Sequence, residues 1–179
     1  DALSDGETVY IGAVMQHIEE AGIHSGDSAC VLPPYQIKPE ALEKIIEITK
    51  RLAMELKVIG LINLQFAYKN EEIYVLEVNP RASRTVPFVS KTTNVPLARI
   101  ASQLTVGAKL KNFKLIKWDS LNHVAVKEAV LPFNKFPLES IFLSPEMKST
   151  GEVMGISKSL GDSFLRASIS AGNKLPKKG

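Results

Sequence analysis

Two short runs with a strand period stand almost side by side in this chain, Leu61 to Tyr68 and Ile73 to Asn79. Only Lys69-Asn70-Glu71-Glu72 separates them. Apolar-rich runs of this length around a short polar connection predict an antiparallel hairpin. In a strand, positions two apart share a face. Asn63 and Gln65 therefore point together, as do Glu77 and Asn79. If Lys69 pairs with Ile73, Gln65 falls opposite Glu77 and Asn63 opposite Asn79. The other face then carries Ile62, Leu64, Phe66, Tyr74, Leu76 and Val78. A slip of one residue would move Glu77 onto that apolar face, which burial opposes.

Two amide oxygens and a carboxylate at one end of a hairpin form a hard oxygen cluster. Mg²⁺ suits such a set, because it takes one or two carboxylates and completes its shell with phosphate oxygens and water. Polar strand ends facing solvent would have the same spacing. The next residues, Asn79-Pro80-Arg81-Ala82-Ser83-Arg84, add two guanidinium groups. Arginine can hold phosphate or carboxylate through paired hydrogen bonds. Arg81 and Arg84 could equally be surface residues, or partners of Glu77 or Asp27. A metal site beside an oxyanion clamp is what phosphoryl transfer requires.

Elsewhere the pattern is mixed. Thr8 to Ile18 suits a strand first and an amphipathic helix second. The loop Ala21-Gly22-Ile23-His24-Ser25-Gly26-Asp27-Ser28 carries two glycines that permit close backbone approach. A short strand, Ala29 to Leu32, ends at Pro33-Pro34. Pro39 to Lys57 is the clearest helix, with Pro39 at its first position and Leu42, Ile45, Ile46, Leu52, Ala53 and Leu56 at helical spacing. A second helix, Pro96 to Val106, is closed by Gly107. Then come a strand, His123 to Val130, a loop marked by Pro137 and Pro145, a short strand within Ser149 to Gly155, and a final helix, Leu160 to Ala171. Hairpins mixed with helices predict an α+β fold.

Composition narrows the function classes. The net charge is +3, but Lys and Arg are scattered apart from Lys174, Lys177 and Lys178. That argues against nucleic-acid binding, which needs a basic face. No apolar run approaches the ~18 residues of a membrane span. The single Cys30 excludes an intrachain disulfide and suits a reducing compartment, the cytoplasm. His17 and His123 have no partner spacing for a metal. Trp118 is expected to pack at a domain edge. The chain does not begin with Met, and Asp1 runs at once into a Ser-Asp-Gly turn. That pattern is expected of a cut through a larger protein, and equally of a processed terminus.

The stretch from Leu76-Glu77-Val78-Asn79-Pro80-Arg81 through Thr85-Val86-Pro87-Phe88-Val89-Ser90-Lys91 closely resembles the metal and phosphate segment of carbamoyl phosphate synthetase large subunits. Ala21 to Ser28 is similar to that family's nucleotide-contacting loop. Asn63-Leu64-Gln65-Phe66-Ala67 matches its first metal-ligand strand. The resemblance covers essentially the whole chain. Residues 85–91, Val126 to Phe136 and Pro145 to Gly155 resemble the second, carbamate-phosphorylating half of the subunit.

The resemblance implies the C-terminal portion of an ATP-grasp fold, a mostly antiparallel sheet flanked by helices. Residues 1–118 would hold the metal and phosphate hairpin. Residues 119–174 would close the same unit, and 175–179 would lead toward a following domain. Gln65, Glu77 and Asn79 would bind Mg²⁺ or Mn²⁺ bridging the ATP phosphates. Gly22, Ile23, His24 and Ser25, with Gln65 and Glu77, would contact ATP. Arg81 and Arg84 would bind carbamate or the transferring phosphoryl group. Gln65 is neutral where ATP-grasp enzymes often carry an acid, which is similar to this subfamily.

The implied activity is that of a glutamine-hydrolysing carbamoyl phosphate synthetase, feeding arginine or pyrimidine synthesis. Its partners would be the rest of the large subunit and a glutaminase small subunit. The mobile phosphate lid and most of the adenine pocket should precede Asp1, so the isolated chain is expected to be catalytically poor. Two rivals remain: a non-catalytic scaffold or interaction module, and an ATP-grasp ligase acting on another carboxylate.

Overall fold

The computed structural model describes residues 1–135, 138 and 140–174. Its elements run β1 (Ala2–Asp5), β2 (Val9–Ile11), β3 (Gln16–His17), β4 (Cys30–Leu32), α1 (Pro39–Glu55), β5 (Ile59–Lys69), β6 (Glu72–Asn79), α2 (Val86–Thr93), α3 (Leu97–Thr105), β7 (Val124–Val130), β8 (Gly151–Ser157) and α4 (Leu160–Ser170). The chain divides into two units. Asp1–Val14 joins Gln36–Leu121 in the first, and Met15–Tyr35 joins Asn122–Gly179 in the second. Residues 15–35, which the sequence places in the 1–118 segment, enter the second unit because β4 pairs with β7. The expected linker 175–179 and Pro137 lie outside the described residues. Among the described residues no helix is long and apolar enough to cross a membrane.

The first unit is built on an antiparallel sheet in the order β2-β1-β5-β6. Helix α1 packs on it. Pro39 opens α1 where a missing N–H costs nothing. The helix buries Ala41, Ile45, Thr49 and Ala53, a single stripe four residues apart. Leu42, Ile46 and Leu52 are half-buried, and Leu56 is exposed. Lys57, at φ 53°, takes the left-handed conformation that ends the helix. The N–H groups of Lys57 and Val58 then turn back to the carbonyls of Met54 and Ala53. Ala2, Ala53, Val58 and Ile62 form the core between helix and sheet, supported by Val9, Ile11, Leu64 and Val78. Fully burying a side chain such as Ile62 stabilises by about 1.5–3 kcal/mol.

Helix α3 packs on β5 and β1, and α2 packs on α3. Gly107 stands just past α3 at φ 99°. Helix α2 is not foreseen in the sequence reading, which leaves residues 85–95 without an element. Pro87 sits in its first turn, where proline is tolerated, and Phe88 and Val89 face inward. The Thr8 to Ile18 segment is extended, as the first choice expects, but it forms two short strands, β2 and β3.

The β5–β6 hairpin forms with one correction. Lys69 pairs with Glu72, not Ile73, and the pairing continues through Tyr68↔Ile73, Ala67↔Tyr74 and Phe66↔Val75. A bulge then intervenes, and Gln65↔Glu77, Leu64↔Val78 and Asn63↔Asn79 follow. Leu76 is the extra residue. One unmatched residue shifts the register by one, so the expected pairs of the polar end arise from a different turn. Tyr74 consequently shares the Gln65 face instead of the apolar one, and its hydroxyl bonds Glu72 on that face.

The second unit has a sheet in the order β3-β4-β7-β8, again antiparallel. Helix α4 covers β7 and β8. Ser159 caps α4, its hydroxyl accepting from the Asp162 N–H at 3.2 Å. Val31, Val126 and Ala167 form the core, with Val124 and Leu160 packed against it. Gly155 on β8 lets the helix approach: a Cβ there would lie 2.1 Å from the Ser163 carbonyl oxygen.

Candidate functional site

Gln65, Glu77, Asn79, Arg81 and Arg84 belong to the first unit, and Gly22, Ile23, His24 and Ser25 to the second. In the first unit, adjacent rungs of the ladder set Asn63 beside Asn79 and Gln65 beside Glu77. Gln65 Nε2 donates to Glu77 Oε2 at 2.6 Å, which fixes the carboxylate on the polar face. Glu77 is exposed, while Gln65 and Asn79 are half-buried. Among the described residues no three His, Cys, Asp or Glu side chains form a metal cluster. The donor set here is one carboxylate with amide oxygens. It fits a hard divalent cation that takes its other ligands from phosphate and water, and does not fit a soft metal.

Past Asn79 the chain turns tightly. The Arg81 N–H donates to the Asn79 carbonyl at 2.8 Å, and Arg81 Nη1 to the Ala82 carbonyl at 2.8 Å. Arg81 is exposed and Arg84 half-buried. The sequence reading misses the group that anchors this turn. Asp1 Oδ1 accepts from Asn63 Nδ2 at 2.9 Å and from Ser83 Oγ at 2.8 Å, and Asp1 Oδ2 accepts from Thr85 Oγ1 at 2.6 Å. Long-range strand pairing, not a local motif, brings it here. Ala2 pairs with Ile62, so Asp1 falls beside Asn63.

In the second unit, the loop at 21–28 is held from below. Asp27 is buried, and its carboxylate accepts from the N–H groups of Lys148 at 2.7 Å and Ser149 at 2.8 Å. Burial works against its charge, but hydrogen bonds from Ser149 and Lys148 outweigh it and lower its pKa. Ser149 Oγ donates to the Gly26 carbonyl at 3.1 Å. Lys127, 1% exposed, reaches the Ser25 carbonyl at 3.3 Å and Glu152 at 3.7 Å. Gly22 stands at φ 108°. The Gly26 N–H donates to His24 Nδ1 at 3.0 Å, so a neutral His24 ring carries its proton on Nε2. Cys30 is fully buried, and burial pushes its thiol up to about 12, as expected of a packed and inert side chain. Trp118 is buried.

Comparison with known proteins agrees with this architecture. Residues 3–113 match the family described as carbamoyl-phosphate synthase L chain, ATP binding domain. The carbamoyl phosphate synthase large chain of Archaeoglobus fulgidus is 57% identical over 179 residues, covering 100% of this chain and 17% of that one. The large chain of Acidobacterium capsulatum is 55% identical over 185 residues, with the same coverage. The chain thus spans about a sixth of the length of these curated relatives.

Among solved structures, the K. lactis urea amidolyase aligns at TM-score 0.68 and 14% identity, over 92% of this chain and 11% of that one. The biotin carboxylase domain of a single-chain bacterial carboxylase aligns at TM-score 0.56 and 19% identity, over 72% and 31%. The fold is the C-terminal portion of an ATP-grasp domain.

Proposed function

The chain belongs to the carbamoyl-phosphate synthase L chain, ATP binding domain family, and on that premise we propose that it supplies part of the site at which a longer large subunit phosphorylates carbamate with ATP. The observation that carries this reading is the Gln65–Glu77 pair, with Asn79 on the next rung and the Arg81–Arg84 turn directly after it.

Gln65, Glu77 and Asn79 are the residues that would hold Mg²⁺ or Mn²⁺. The metal, when bound, neutralises charge on the ATP phosphates. Gln65 keeps the Glu77 carboxylate oriented toward that role. Arg81 and Arg84 bind the oxygens of carbamate or of the γ-phosphoryl group, where negative charge accumulates. A carbamate oxygen attacks the γ-phosphorus, the bond to the bridging oxygen breaks, and ADP leaves with that electron pair. Gly22, Ile23, His24 and Ser25 contact the nucleotide, His24 through Nε2–H. The chain's contribution is positioning and charge stabilisation, with no covalent intermediate on the protein. Ammonia would come from a glutaminase subunit, and the single buried thiol suits the cytoplasm.

The test is calorimetry of Mg²⁺-dependent ATP binding, with carbamate-dependent ADP formation, on the full-length protein that contains this sequence. Glu77→Ala should weaken binding by ~10-fold or more, about 1.4 kcal/mol. Wild-type protein that neither binds Mg²⁺-ATP nor phosphorylates carbamate would sink the reading. The 179-residue chain alone should turn over far below a typical enzyme (~10 s⁻¹).

A further inference from the structure

Asp1 sits where three strands and a turn converge. Continuing the Ala2↔Ile62 register puts it beside Asn63, which itself faces Asn79 across the next ladder. Its half-buried carboxylate accepts from Asn63, Ser83 and Thr85 at 2.9, 2.8 and 2.6 Å. The two hydroxyls also lie 2.8 Å from each other. Each hydroxyl has one proton, so only two of the three short contacts in this triangle can be hydrogen bonds at once. A carboxylate, which only accepts, drives both protons toward itself. Charge-assisted hydrogen bonds are the stronger kind. Arg84 lies between the two clamped residues, and Thr85 leads into α2.

We infer that Asp1 is a positioning residue: its carboxylate locks Ser83 and Thr85 to Asn63 and so holds the Arg84 backbone in fixed relation to the Gln65, Glu77 and Asn79 end of the hairpin. This inference rests on the proposed carbamate phosphorylation. Asp1 need not touch the substrate. It sets where Arg84 starts from, and a displacement of about 1 Å in a reacting geometry can cost ~100-fold in rate. A carboxamide in its place presents one N–H₂ toward hydroxyls that are themselves donating, so one anchor is lost.

The experiment uses the full-length protein containing this sequence, with Asp1→Asn, Thr85→Val and Thr85→Ser. It measures Mg²⁺-ATP binding, kcat and KM for carbamate phosphorylation, and thermal midpoint. Asp1→Asn and Thr85→Val should each lower kcat by roughly 10- to 100-fold, leave ATP binding close to wild type, and be no worse combined than singly. Thr85→Ser, which keeps the hydroxyl, should restore most of the rate. Wild-type kcat in Asp1→Asn would overturn the inference while leaving the proposed function intact. So would a loss shared equally by ATP binding, thermal midpoint and all three variants, which marks a purely structural brace. An inactive wild type would remove the functional reading, and this inference with it.

Discussion

Gln65 and Glu77 meet across the β5–β6 ladder, Nε2 donating to Oε2 at 2.6 Å, with Leu76 left unpaired in a bulge beside Glu77. From the turn, the ladder proceeds in a register that would set Leu76 opposite Gln65. The bulge absorbs Leu76 and returns Glu77 to the polar face. Parity then makes a sharp prediction. Deleting Leu76 alone leaves Glu77 opposite Gln65, and Mg²⁺-ATP binding by the full-length protein should stay close to wild type. Deleting Val75 and Leu76 together puts Glu77 opposite Phe66, on the apolar face. Binding should then fall by ~10-fold or more, about 1.4 kcal/mol. Equal binding by both deletion variants would refute the facing argument.

Gly155 and α4 are bound by contact rather than by backbone conformation. A methyl group at Gly155 would come within 2.1 Å of the Ser163 oxygen and 2.6 Å of the Ala167 nitrogen, both backbone atoms that cannot swing aside. Gly155→Ala should destabilise the second unit by about 3 kcal/mol or more, at the upper end of overpacking costs. Chemical denaturation gives the magnitude. Hydrogen exchange should show α4 losing protection first, and an unchanged midpoint would contradict the packing shown here.

Acid should weaken the two units in different windows. Burial first, and then the Lys127 charge, lower the His17 pKa from 6.5 to about 4. The folded state thus keeps His17 neutral while the unfolded chain takes up a proton, and stability falls as pH drops from 6.5 toward 4. Asp5 behaves similarly at lower pH. Burial opposes its charge, but bonds from the Leu110, Thr8 and Glu7 N–H groups and the Thr8 hydroxyl win, and its pKa drops from 3.8 to about 2. Its stabilisation is complete above 3.8 and disappears as pH falls through about 2. Urea unfolding from pH 8 to 2 should show both slopes. His17→Gln should flatten the first and Asp5→Asn the second. If neither variant changes its slope, other groups govern acid unfolding.

Much of the local structure is legible in the amino-acid order. Pro39 and a four-residue stripe mark α1, and the paired runs at 61–68 and 73–79 mark the hairpin. These are signals a few residues long, and local chemistry enforces them. That Asn63 shares a face with Gln65, and Glu77 with Asn79, was legible for the same reason, through strand parity. Helix α2 was not, because Val86, Thr92 and Thr93 are weak helix formers and it is packing on α3 that stabilises them. Lys127 was equally hidden. It lies in an ordinary strand run, and its partners, the Ser25 carbonyl and Glu152, come from distant segments to meet a lysine 1% exposed.

The amino-acid order alone therefore settles α1, the two strands of the hairpin, and the shared face of Asn63 with Gln65 and of Glu77 with Asn79, since each depends on neighbours within a few positions. Long-range pairing settles the rest. The turn register and its compensating bulge, the entry of residues 15–35 into the second sheet, and the arrival of Asp1 beside Asn63 and Ser83 all depend on partners far along the chain. Such contacts leave no period in the sequence, because what selects them is the burial and hydrogen bonding of the folded whole.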